Sequence, residues 1–94
     1  MKQSKTNKKF VYLISPNKIE NESFYANLAL VLSTKKISFF QLRLKKETSL
    51  NKLIIGKKIK KICKRYKVKF LINDDPLLAK KLNADGCHLG QKDM

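Results

Sequence analysis

Three short stretches of this 94-residue sequence carry side chains whose types and spacing could do chemistry. Gln41, Arg43 and Lys45 alternate with Leu42 and Leu44. On an extended segment, residues two apart share a face, so a carboxamide and two cations would converge to grip one anionic group. Asn73 precedes Asp74, and Asp93 follows nineteen positions later. The two aspartates are hard oxygen ligands, suited to Mg²⁺ that keeps some waters and binds substrate phosphate. His88 and Gln91 fall between them. Cations, carboxylates and a divalent metal together describe a diphosphate site. Each piece also has a plainer use. An Arg-x-Lys after a strand can be a solvated loop, Asp74 can cap the helix that Pro76 starts, and His88 in a short apolar run can be a satisfied core histidine.

The elements that must position these residues follow from periodicity. Met1 to Lys9 is a polar, basic, mobile lead-in. Phe10 to Ile14 is continuously apolar and β-rich and is closed by Ser15 and Pro16, the pattern of a strand buried on both faces. Ser23 is placed to cap a helix to about Thr34, with Phe24, Leu28, Val31 and Leu32 on one side. Ile37 to Leu42 reads as a second strand. Thr48 or Ser49 can cap a long helix in which Ile55, Ile59, Ile62, Cys63 and Tyr66 form an amphipathic stripe. Val68 to Ile72 is a third strand, Pro76 to Leu82 a short helix, and Gly86 to Leu89 a fourth strand leading into a loop from Gly90 to Met94. The order β-α-β-α-β-α-β implies right-handed crossovers and a parallel sheet. Ligands of such folds bind at the carboxyl ends of the strands, where every unusual polar cluster of this sequence falls.

Composition narrows the function classes. The formal charge is +15, from 22 Lys and Arg against 7 Asp and Glu. Only Arg43 and Arg65 are arginines, whereas readers of nucleic acid favour Arg for bidentate contacts. The densest basic block, Lys57 to Lys67, is the wet side of the long helix. Four of the seven acids lie in the last 21 positions, so they are concentrated where the metal is expected. No nucleic-acid partner is expected. No apolar run approaches the roughly 18 residues of a membrane span, and no membrane partner is expected either. Cys63 and Cys87 form no metal or disulfide spacing, and no signal-peptide pattern follows the N-terminal lysines, which points to a cytoplasmic chain with buried thiols.

Taken together, QLRLK at Gln41 to Lys45, LIND at Leu71 to Asp74 and ADGCHLGQKDM at Ala84 to Met94 resemble thiamine-phosphate synthase, and VYLIS at Val11 to Ser15 is similar to its first strand. The resemblance covers residues 10–94. It implies a (β/α)₈ TIM barrel and a Mg²⁺-dependent transferase that joins hydroxymethylpyrimidine diphosphate to thiazole phosphate, giving thiamine monophosphate and diphosphate. Residue by residue, it implies that Gln41, Leu42, Arg43, Leu44 and Lys45 hold the pyrimidine diphosphate, with Arg43 and Lys45 also stabilising the leaving group. Asn73 would contact the same substrate, Asp74 and Asp93 would bind Mg²⁺, and His88 and Gln91 would lie near the pyrimidine. Asp75 is left as a turn residue.

The family barrel has eight strands, and this sequence ends just past the fourth. The expected architecture is therefore α/β, the N-terminal half of the barrel over residues 10–94, truncated after strand four and preceded by the basic segment 1–9. It would carry the metal and pyrimidine half of the site without the thiazole half. Its first and fourth strands would be open edges, completed by a separate C-terminal half or by self-association. Other readings stay open. A thiazole tautomerase shares the barrel but needs neither the aspartate pair nor QLRLK, and a non-catalytic half-barrel would bind the pyrimidine diphosphate without turnover.

Overall fold

A computed structural model describes residues 11–89. The segment 1–9, Phe10 at the expected start of the first strand, and Gly90 to Met94, with Gln91 and Asp93, lie outside the described residues. Seven elements follow in the order β1 (Tyr12–Ile14), α1 (Ser23–Leu32), β2 (Phe39–Leu42), α2 (Ser49–Arg65), β3 (Lys69–Asn73), α3 (Pro76–Leu82) and β4 (Gly86–His88). The strands form one parallel sheet in chain order, β1-β2-β3-β4. All four carboxyl ends therefore lie along one rim.

One face of the sheet is covered by the helices. Phe40 and Leu42 of β2, with Phe70 and Ile72 of β3, pack in a core with Leu28 and Leu32 of α1, Ile55, Ile59 and Cys63 of α2, and Leu78 and Leu82 of α3. The stripe expected for α2 is the stripe that is buried, and its lysines take the outer face. Gly56 lets α2 pack closely against α3, because a Cβ there would collide with Leu82 Cδ1.

Where the helices begin and end follows local hydrogen bonding. Thr48 caps α2, its Oγ1 accepting from the Asn51 N–H at 3.1 Å. Asp75 caps α3 through Oδ1, which accepts from the Leu78 N–H at 3.0 Å, and Pro76 opens the helix. The left-handed Asn83 (φ 53°) closes it, a conformation asparagine tolerates better than most residues. α1 departs from expectation at both ends. Glu22 holds the N-cap position without a side-chain bond to the helix, and the Ser23 hydroxyl turns back to Asn21. The helix stops at Leu32; the Ser33 and Thr34 hydroxyls bond to the carbonyls of Leu30 and Val31, and the chain turns away through the left-handed Lys35 (φ 64°).

β1 also departs from expectation. Instead of being buried on both faces, Tyr12 is 56 % and Ile14 52 % exposed. Among the described residues only one face of the sheet is covered by helices, and β1 is an edge. On the other face the Tyr12 ring stacks on Phe39, centroids 4.6 Å apart.

Candidate functional site

Strand alternation decides which residues of QLRLK can reach a ligand. Leu42 and Leu44 point under the helices and are buried in the core, so any part they take in binding runs through their backbone. Arg43 and Lys45 are exposed, and Gln41, on the uncovered face, is only 7 % exposed. Register extends the pattern across the sheet. Leu42 pairs with Ile72 and Asn73 with His88, which sets Arg43, Asn73 and His88 level across β2, β3 and β4 at the rim.

Side-chain hydrogen bonds run through Asn73 from Gln41 to Asp74. Gln41 Nε2 donates to Asn73 Oδ1 at 3.3 Å, and Asn73 Nδ2 donates to Asp74 Oδ2 at 3.2 Å. The chain runs donor to acceptor from the carboxamide of β2 to the carboxylate after β3. A buried carboxamide needs such a partner, since leaving it unmade costs about 1–3 kcal/mol. The backbone of Asp74 is also tied to the rim, its N–H donating to the His88 carbonyl at 2.8 Å. Its φ is 57°, in the left-handed region that Asp and Asn visit more readily than bulky residues.

Asp74 and Asp75 have separate tasks. Capping belongs to Asp75, whose Oδ2 also lies 3.9 Å from Lys52 Nζ. The plainer use considered for Asp74, as helix cap, is thereby corrected. The core-histidine use of His88 is corrected too. His88 is exposed, because β4 is an edge strand and the face it presents has no covering layer among the described residues.

Two residues just past β1 brace the segment Gln41 to Lys45. Ser15, 5 % exposed, gives its N–H to the Gln41 carbonyl (3.0 Å), and its Oγ accepts from the Arg43 N–H (2.8 Å). The Lys45 N–H donates to the Asn17 carbonyl at 3.0 Å. Sequence reasoning passed over Ser15. Its only signal was a hydroxyl at the end of an apolar β run, which does not say where the hydroxyl points.

A hard cation at this rim would need few protein ligands. Among the described residues no group of three His, Cys, Asp or Glu side chains forms a cage. Mg²⁺ does not require one, because it keeps waters and needs only one or two carboxylates plus substrate phosphate. Asp74, exposed and at the rim, is a donor of that kind, and its expected partner Asp93 lies outside the described residues.

Other features lie away from this rim. A cavity of about 420 Å³ opens at the amino ends of β3 and β4 between Lys60, Lys64, Lys67, Lys69 and Asp85. Asp85 is already engaged there, its Oδ2 accepting from the Phe70 N–H at 2.7 Å. Cys63 is fully buried, and burial, with a smaller contribution from Asp85, pushes its thiol up to about 12. It is core filler with no nucleophilic thiolate to offer. No helix among the described residues is long and apolar enough to cross a membrane.

Comparison with known proteins converges on one family. The family model described as thiamine monophosphate synthase matches residues 11–94. The thiamine-phosphate synthase of Pelagibacter ubique (strain HTCC1062) is 86 % identical over all 94 residues, which span 45 % of that relative's length. The solved thiamine phosphate pyrophosphorylase of Pyrococcus furiosus superposes on 90 % of this chain with a TM-score of 0.73 at 26 % identity, and 41 % of that chain is covered. The four parallel strands with their helices match the N-terminal half of that TIM-like fold, and the chain spans less than half the length of either relative. With these likenesses added to the polar row at the carboxyl rim, the chain belongs to the thiamine monophosphate synthase family.

Proposed function

We propose that this chain carries the pyrimidine-diphosphate and Mg²⁺ side of a thiamine-phosphate synthase, a transferase that forms thiamine monophosphate from hydroxymethylpyrimidine diphosphate and thiazole phosphate. The observation that carries this reading is the hydrogen-bonded chain Gln41–Asn73–Asp74 on the same rim as the exposed pair Arg43 and Lys45.

Arg43 and Lys45 offer a guanidinium fork and a point charge to the diphosphate, the two cation types that phosphate groups favour. Because both emerge from a strand end whose backbone is bonded to the β1 loop, they are oriented before substrate arrives, and preorganised charge of this kind stabilises a leaving group most effectively. Asn73 and Gln41 present carboxamides whose mutual bond fixes which atoms face the ligand. Asp74, with Asp93, would hold Mg²⁺, which when bound supplies positive charge to the departing diphosphate. The pyrimidine methylene carbon parts from the diphosphate oxygen, the electron pair leaves with diphosphate, and the thiazole nitrogen supplies the pair for the new bond. No protein nucleophile is needed in that sequence.

The thiazole phosphate and the closing strands would fall to the remainder of a full-length relative, and β1 and β4, the edges among the described residues, are where that remainder, or a second copy, would pair. The test is an assay for thiamine monophosphate with this chain alone and with the remaining segment of the Pelagibacter relative supplied in trans. Formation of product only in the mixture is the expected result. Product from the chain alone, or from neither, overturns the division of the site proposed here.

A further inference from the structure

We propose that Ser15 is a positioning residue of the anion site, acting through the backbone of Arg43. The proposal rests on the reading of the rim as a diphosphate site. In a parallel strand the N–H and C=O of alternate residues point to the same neighbouring strand, while their side chains share one face of the sheet. On β2 and its continuation this alternation falls on residues 41, 43 and 45. The Gln41 carbonyl accepts from the Ser15 N–H (3.0 Å), the Arg43 N–H donates to Ser15 Oγ (2.8 Å), and the Lys45 N–H donates to the Asn17 carbonyl (3.0 Å). The residues whose side chains form the clamp are therefore the residues whose backbone is anchored to the end of β1.

The middle anchor is the only side-chain one. β1 ends at Ile14 and its last backbone pairing is with Gln41, so at Arg43 the strand-to-strand ladder gives way. The Ser15 hydroxyl bridges the gap. It accepts from Arg43 and donates to the Pro16 carbonyl at 3.0 Å. At 5 % exposure the bridge is shielded from water that could replace it. Removing the hydroxyl leaves the Arg43 N–H without that acceptor and lets the segment carrying both cations sway. A threonine keeps the acceptor.

The experiment measures two properties of the 94-residue chain, its Ser15→Ala variant and its Ser15→Thr variant. Amide hydrogen exchange reads the Arg43 N–H, and calorimetry reads the affinity for inorganic diphosphate in Mg²⁺. In Ser15→Ala, Arg43 exchange is expected to quicken about tenfold while the Ile59 and Cys63 amides keep their rates, and diphosphate affinity is expected to fall about tenfold, the scale of one lost hydrogen bond. Ser15→Thr is expected to restore both. If Ser15→Ala does not fold, Ser15→Cys, whose thiol is a weak acceptor, is read by the same two measurements with smaller losses. Unchanged Arg43 exchange, or diphosphate affinity equal to the parent's, overturns the role of Ser15. A parent chain with no affinity for Mg²⁺-diphosphate instead overturns the reading of the rim.

Discussion

Gln41 and Asn73 are joined by their side-chain amides, Nε2 of the first donating to Oδ1 of the second across 3.3 Å. The bond ties the carboxyl end of β2 to that of β3 and fixes the sense of both amides, so that Asn73 is left to donate to Asp74. In Gln41→Leu the volume is nearly kept but the Asn73 oxygen loses its partner at a half-buried position. Stability is expected to drop by about 1–2 kcal/mol, read from the urea midpoint. Diphosphate affinity is expected to drop with it, because the orientation of Asn73 is no longer set.

Of the adjacent aspartates, Asp75 caps α3 and Asp74 is the one proposed to bind the metal. Asp75→Ala removes the cap of α3 and is expected to cost about 1 kcal/mol in urea unfolding while leaving Mg²⁺-dependent diphosphate binding in place. Asp74→Ala is expected to weaken binding at least about tenfold, with a modest stability loss of about 1 kcal/mol from placing alanine at a left-handed φ. Asp74→Gly adds a stability check. Glycine takes φ 57° without strain, so this variant is expected to be at least as stable as Asp74→Ala.

Much of this arrangement could be read before any coordinates, and the divide follows physical lines. The stripe Ile55, Ile59 and Cys63 is a local property of a repeating helix, and so was visible. The two-residue spacing of Gln41, Arg43 and Lys45 was visible for the same reason in a strand. The choice between Asp74 and Asp75 as cap was not, because it turns on one backbone dihedral. The exposure of Tyr12, Ile14 and His88 was not either, since whether a strand face is covered depends on layers remote in sequence. Ser15 is the clearest case. Its role exists only through a contact with a residue 28 positions away.

Cys63 sets a limit on alkaline stability. Its thiol is held at about 12 in the folded chain against an ordinary 9.0. An unfolded chain therefore loses this proton at lower pH than the folded one, and the folded state becomes relatively less favourable as pH rises. The contribution is fully present below pH 9 and is expected to be lost progressively between pH 9 and about 12, at a slope of at most about 1.4 kcal/mol per pH unit. Cys63→Ala is expected to flatten that part of the urea-midpoint profile. Under native conditions near pH 8, a thiol reagent is expected to modify the half-buried Cys87 well before Cys63.

The uncovered sheet face, with Tyr12 stacked on Phe39 and Ile14 beside them, favours association of the isolated chain, and a charge of +15 opposes it. Screening weakens the second effect far more than the first. Sedimentation is expected to show a larger associated fraction at about 0.5 M salt, where the Debye length falls to roughly 4 Å, than at low salt. Ile14→Lys is expected to reduce that fraction.

The carboxyl rim is proposed to bind the pyrimidine diphosphate through Mg²⁺, Asp74 and the Arg43–Lys45 pair. Calorimetric titration of the 94-residue chain with hydroxymethylpyrimidine diphosphate tests it most directly. Binding is expected to require Mg²⁺ and to weaken at least about tenfold in each of Asp74→Ala, Asp93→Ala and Arg43→Ala, but not in Asp75→Ala. Equal binding by the parent and Asp74→Ala, or binding indifferent to Mg²⁺, would contradict it.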